Sequence, residues 1–173
     1  VCMSPTNMGA PNSMKATAGR ANPSGIPYLY LSKSQETTLY ETRATYLDIL
    51  SVGCFITSGT SLKIVDFTSK PSPFNNMGNM TELAKSLLLK ELISVDLSKP
   101  LRRFDSELEY IPTQFICEFI RYSTGADGIQ FNSSLHRGGV NVVLFDPTRV
   151  ECIDVELHQI TDVRISSASI PAH

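Results

Sequence analysis

The sequence predicts a single α+β domain, with a mixed or antiparallel sheet packed against about three helices. Three observations carry that expectation. Short β-branched and aromatic runs recur between clusters of Gly, Pro, Asn and Ser. Between those runs lie stretches of helical spacing with recognisable caps. A length of 173 residues at 42% hydrophobic content suits one packed core.

The elements follow in order. Residues 1–27 are rich in Met, Asn, Ser, Pro, Gly and Ala and read as loop, with 1–18 as a lead-in and 19–173 as the domain. Ile26–Leu31 reads as a short strand. Ser32 with Gln35, or Ser34 with Glu36 in the first turn, starts a helix that runs through Glu41 to about Arg43. On it Thr37, Thr38, Glu41 and Thr45 are spaced to share one face, so Glu41 projects from a polar stripe. Tyr46–Thr57 reads as a strand, Ser58–Ser61 as a turn, and Leu62–Phe67 as the hairpin partner. Lys70–Gly78 reads as loop. Asn79 with Glu82 makes a capping box, and behind it Leu83, Ala84, Leu87, Leu88, Leu92 and Val95 form the clearest helical stripe, expected to face the core. A charged loop, Ser98–Glu109, leads to Thr113, which caps a helix to about Ser123, stopped by Gly125. Asp127–Phe131 and Asn141–Phe145 read as strands, the second buried, and Glu151–Ser166 as one or two closing strands. No internal repeat is visible.

Several function classes are excluded or disfavoured. A net charge of −2 gives no electrostatic case for nucleic acid or an acidic membrane surface. No apolar run reaches the length of a membrane span. Cys2, Cys54, Cys117 and Cys152 are scattered, without a C-x-x-C pair or a Cys/His cluster, which points away from a metal and toward reduced thiols in the cytoplasm. The chain begins with Val1 rather than Met and shows no signal-peptide pattern, and it reads as an excerpt of a longer protein.

Candidate chemistry gathers in Gly19–Glu41. Arg20 sits in Gly19-Arg20-Ala21-Asn22-Pro23, where a tight turn can present the guanidinium fork and nearby backbone N–H groups to a phosphate. Tyr28 and Tyr30 are two apart, so on a strand they point the same way and one can stack on a base or sugar. Glu41 is a lone helical carboxylate able to stabilise positive charge on a sugar or hold a ribose hydroxyl. Ser133 and Ser134 follow a strand without any G-x-S-x-G context, so a hydrolase nucleophile elbow is not supported. His136 and His158 have no ligand partner at a meaningful spacing and receive no role. Each residue taken singly has a commoner structural reading: a solvated arginine, a cross-strand tyrosine pair, a surface glutamate, a turn serine. Their joint pattern is more specific.

The blocks GRANPSGIPYLYLSKSQETTLYE, YIPTQFICEFIR, DGIQFNSS and GGVNVVLF occur in the order of the RES domain family, named for its arginine, glutamate and serine, and the chain resembles that family from about Gly19 to Phe145. The resemblance implies a fold similar to ADP-ribosyltransferases of the diphtheria-toxin type. It also implies a toxin of a bacterial toxin–antitoxin or defence system that consumes NAD+ as substrate, with no metal. Carried over by position, the catalytic residues are Glu41, Arg20, Ser133 and Tyr30. NAD+ would be held by Arg20, Asn22, Tyr30, Ser133 and Asn141. Phe131 replaces the family's usual tyrosine before the serine. The family pattern also has an arginine in an early strand upstream of the G-R block. Residues 1–18 contain none; either this strand lies before Val1, which is the favoured expectation, or the site in this chain is incomplete.

In the expected reaction the nicotinamide–ribose bond breaks through an oxocarbenium-like sugar, with water, phosphate or a protein side chain left open as acceptor. Glu41 faces the cation, Arg20 holds the pyrophosphate, Tyr30 packs on the nicotinamide ribose or ring, and the Ser133 hydroxyl fixes orientation. The implied partner is a cognate antitoxin or an N-terminal region of the same protein. The alternative is a non-catalytic NAD- or nucleotide-binding regulatory module of a larger protein; a purely structural interaction domain is a third reading.

Overall fold

A computed structural model of the chain describes residues 3–59, 61–69, 80–99, 107–164 and 169. Among them are three α-helices, α1 (Gln35–Glu41), α2 (Met80–Ser98) and α3 (Ile111–Thr124). Six strands accompany them: β1 (Leu29–Ser32), β2 (Ile49–Thr57), β3 (Ile64–Asp66), β4 (Gly128–Asn132), β5 (Val140–Leu144) and β6 (Val150–Gln159). The main sheet has the order β1-β5-β4-β3 and is mixed, since β3 pairs parallel with β4 while the other pairs are antiparallel. A second, two-stranded sheet pairs β2 with β6 antiparallel, with a bulge between Cys54 and Phe55. The α+β class is as expected. No described helix is long and apolar enough to cross a membrane.

The core lies on the main sheet beneath α2 and α3, with Ile129, Phe131, Val143 and Phe145 meeting Leu97, Cys117 and Ile120. Tyr28 joins it, its ring 5.0 Å from that of Phe145 and its hydroxyl donating to Glu118. Gly128 is required inside this sheet, because a Cβ there would come within 2.3 Å of the Val143 carbonyl oxygen.

Several expectations need correction. Leu62–Phe67 does not return as the hairpin partner of β2. β3 within it pairs with β4, and the partner of β2 is β6. A short turn made the local hairpin attractive, but Val65 and Phe67 reach the main core only from the far edge of the other sheet, and that burial outweighs local closure. The parallel β3–β4 pair then needs a long crossover, which carries α2 and α3. On α2, Leu88, Leu92 and Val95 are exposed, and the fully buried residue is Leu97, with Ile93 packed beside the core. The helix is apolar on more than one side, so spacing alone does not select the inward face.

Other differences are matters of boundary. α1 ends at Glu41, so Thr45 is not on it. α3 starts at Ile111 with Pro112 in its first turn, and Thr113 is inside the helix rather than its cap. Its C-terminal stop is Gly125 at φ 62, the left-handed conformation that glycine tolerates. β1 begins at Leu29, later than Ile26, and among the described residues of Glu151–Ser166 there is one strand, β6. Lys70–Gly78, the Asn79 cap and much of the Ser98–Glu109 loop fall outside the described residues.

Candidate functional site

A cleft of about 940 Å³ opens beside the main sheet, with residues of β1 and α1 on one wall and residues of β2 and β6 on the other. Arg20, Tyr30, Glu41 and Asn141 all line it.

Glu41 is the last residue of α1. The helix is short, so its placement depends on anchors. The Ser34 hydroxyl caps it by accepting from the Thr37 N–H at 3.2 Å. Thr37 is fully buried and its hydroxyl meets His136 Nδ1 at 2.9 Å. The His136 ring stacks on Tyr40 at 4.8 Å, the planes 3° apart. Gly139 lets this turn approach, because a Cβ would lie 2.6 Å from Thr37 Oγ1.

The Glu41 carboxylate is held through one oxygen. Oε1 accepts from Ser133 Oγ at 2.6 Å and from Asn141 Nδ2 at 2.7 Å. Ser133 Oγ itself accepts from the backbone N–H groups of Leu135 at 3.1 Å and His136 at 2.9 Å. With two donors pointing at it, the Ser133 oxygen directs its own proton to Glu41. Asn141 is oriented in turn, its Oδ1 accepting from Ser32 Oγ at 2.9 Å. Strand register supplies this convergence, since Asn141 lies opposite Phe131 on β4 and Ser32 on β1. No hydrogen bond among the described residues reaches Glu41 Oε2, which leaves it available to the cleft.

Arg20 reaches the cleft by a different route. Its Nη1 donates to the Leu97 carbonyl at 2.5 Å, at the C-terminal end of α2, where a cation complements the helix dipole. A guanidinium has five N–H donors, so most of its fork remains for a ligand. Burial pulls the pKa of Arg20 below its ordinary value, opposed by Tyr110, Glu41 and Tyr30; the group still stays charged.

Tyr30 is 45% exposed, whereas Tyr28 is 3% exposed. The two do not share an environment, because β1 begins only at Leu29. The Tyr30 hydroxyl donates to Asn22 Oδ1 at 2.7 Å and accepts from the Ala21 N–H at 3.0 Å. Burial of that end pushes the phenol up to about 12. Its ring is the part offered to the cleft.

Asn22 is buried, and its Nδ2 donates to the carbonyls of Thr17, Pro23 and Ile26. Its amide is therefore committed to its own loop, and it positions Arg20 and Tyr30 without presenting a polar atom to a ligand. Gly19 permits the fit, since a Cβ there would come 2.6 Å from the Tyr30 hydroxyl.

The structure adds residues that sequence reasoning left without a role. Ser32 orients Asn141, His136 ties the Ser133 turn to α1, and Tyr110 lines the cleft beside Arg20. Thr113 and Gln114 of α3 donate to carbonyls of the Arg20 loop. The available signal was the pair of polar residues following Pro112 in an otherwise apolar block. His158, also without a role, pairs with Gln35 and Glu156.

A family model described as the RES domain matches residues 3–166 of the chain. No curated protein and no solved structure matches it.

Proposed function

The chain belongs to the RES domain family, and from that membership and the cleft geometry we propose that it is an NAD+-consuming enzyme that breaks the nicotinamide–ribose bond, acting as a toxin of a bacterial toxin–antitoxin or defence system. The observation that carries this reading is the meeting of Glu41 with Ser133 and Asn141, residues 92 and 100 positions away in the chain, at the edge of a cleft that Glu41 and Asn141 line together with Arg20 and Tyr30. Such convergence is what a reaction with a developing sugar cation requires.

The leaving group is neutral nicotinamide, so little acid assistance is needed. The electron pair of the glycosidic bond leaves with the nicotinamide nitrogen, and the ribose carbon becomes electron-deficient. Glu41 Oε2 stabilises that carbon directly or through a ribose hydroxyl, while Oε1 is kept in place by Ser133 and Asn141. Ser133 thus acts through Glu41 rather than on the dinucleotide. Arg20 grips the pyrophosphate with its remaining N–H groups, and the Tyr30 ring packs on the nicotinamide end. Attack by water gives ADP-ribose and a proton. Attack by phosphate gives the 1-phosphate of ADP-ribose, and attack by a protein side chain gives an ADP-ribosylated protein. An inhibitory partner, whether a cognate antitoxin or a further part of the same protein, would cover the cleft between Arg20 and Glu41.

The test is to incubate the chain with NAD+, with and without inorganic phosphate, and to resolve the products by mass. Nicotinamide release is expected, and the companion product names the acceptor. ADP-ribose that binds without any nicotinamide release would replace this reading with that of a non-catalytic nucleotide-binding module.

A further inference from the structure

Arg20 lies on a four-residue turn, Gly19–Asn22, closed by a single backbone bond from the Gly19 N–H to the Asn22 carbonyl at 2.8 Å. The Asn22 amide braces it from within, and the Ala21 N–H donates to the Tyr30 hydroxyl. The turn's carbonyls are also gripped from outside. Gln114 Nε2 donates to the Gly19 carbonyl at 2.8 Å and to the Asn22 carbonyl at 3.0 Å. The buried Thr113 hydroxyl donates to the Arg20 carbonyl at 2.6 Å. Two consecutive side chains of the first turn of α3 therefore occupy three of the turn's four carbonyls. The Arg20 side chain, meanwhile, is docked on the C-terminal end of α2.

We propose that Thr113 and Gln114 are positioning residues for the anion-binding arginine: they fix the Arg20 main chain from the start of α3, so the reach of the guanidinium into the cleft is set by helix placement as well as by the loop itself. This rests on the reading of Arg20 as the pyrophosphate-binding group. Neither residue lines the cleft, and neither is hydrogen-bonded to Glu41. Their loss therefore weakens dinucleotide binding while leaving the chemical step almost intact, because a displacement of about 1 Å at a binding group is sufficient to cost a large factor in productive binding.

The chemistry of the two side chains makes the inference testable. Gln114→Glu replaces the Nε2 amide group, and with it both N–H donors, by one carboxylate oxygen facing two carbonyl oxygens. Thr113→Val keeps the shape and removes the hydroxyl, and Thr113→Ser restores it. Tyr28→Phe serves as the control, since it removes a hydroxyl that donates to Glu118 and accepts from Arg121, and Tyr28 does not line the cleft.

The expected result is a rise of about tenfold or more in the KM for NAD+, and a matching loss of ADP-ribose affinity by calorimetry, in Gln114→Glu and Thr113→Val. Their kcat stays within about threefold, and Thr113→Ser returns to wild type. A lowered melting temperature with unchanged KM and ADP-ribose affinity, the pattern expected of Tyr28→Phe, would overturn the proposal, as would a fall confined to kcat. Amide hydrogen exchange at Gly19 and Ala21 needs no substrate and separates this inference from the NAD+ reading. Faster exchange at both amides in Gln114→Glu and Thr113→Val, but not in Tyr28→Phe, supports the clamp whatever the ligand proves to be. Exchange that stays at the wild-type rate would overturn it.

Discussion

Glu41 takes its hydrogen bonds from two side chains of the main sheet region, Ser133 and Asn141, and is aimed by them, whereas Arg20 gives its own to a main-chain carbonyl of α2 and sits on a turn whose carbonyls are held by α3. The carboxylate is therefore defined by side-chain chemistry on β5 and on the turn after β4, and the guanidinium by where helix ends fall. Strand register is a rigid template, and helix termini shift as units. The arrangement separates two tasks: orienting a charge against the reacting carbon, and gripping the anionic part of the substrate. Substitutions on the first side should act on kcat and those on the second on KM.

The largest effect should come from Glu41→Gln, which keeps the shape and removes the charge. Turnover should fall by about a thousandfold or more, the scale of losing a preorganised electrostatic group. The melting temperature should hold, because Glu41 is exposed at a helix end. Next comes Ser133→Ala. A hydrogen bond to a charged group is worth about 1.5–3 kcal/mol, so kcat should drop by roughly tenfold to a hundredfold with KM little changed. Asn141→Ala should act in the same direction. The double variant should lose less than the sum of the two, since both donors serve one oxygen. Additive losses in steady-state kinetics would mean that they do not act through Glu41.

On the other side, Arg20→Lys should raise KM by about tenfold with kcat nearly preserved, because an ammonium lacks the planar fork. A kcat effect as large as that of Ser133→Ala would break the division between the two sides. A smaller effect, on the fold alone, concerns pH. Burial raises the Tyr30 phenol from 10.0 to about 12 and the Cys117 thiol from 9.0 to about 12. Raised folded values favour the protonated groups in the native state, so their contribution is fully present below pH 9 and is lost as the pH climbs toward about 12. Denaturant midpoints should fall across that window. Thiol alkylation gives a matching check on the native protein, with exposed Cys54 reacting and buried Cys117 protected.

Much of this arrangement was legible in the sequence where local chemistry decides it. The Gly125 stop, the five-residue strands around Ile129 and Val143 and, as one of two starts the sequence offered for α1, the Ser34 cap follow from caps, breakers and β-branched runs. The blocks also singled out Glu41, Ser133 and Asn141, which the fold brings within hydrogen-bond reach. What was not legible depends on long-range partners. The β2 partner, β6, lies at the other end of the chain, and no local rule prefers it to Leu62–Phe67. The inward face of α2 depends on what packs against it. The role of Ser133 depends on which way its hydroxyl points, and that is set by two backbone N–H groups of its own turn. Thr113 and Gln114 look like ordinary first-turn residues until the Arg20 loop is placed beside them.

The most direct test of the account is nicotinamide release from saturating NAD+ by the wild type and by Glu41→Gln, measured beside the ADP-ribose affinity of each. Release by the wild type is expected, with its loss by about a thousandfold in the variant and the same ADP-ribose affinity in both. Release in Glu41→Gln within tenfold of the wild type, or no release from the wild type at all, would contradict it.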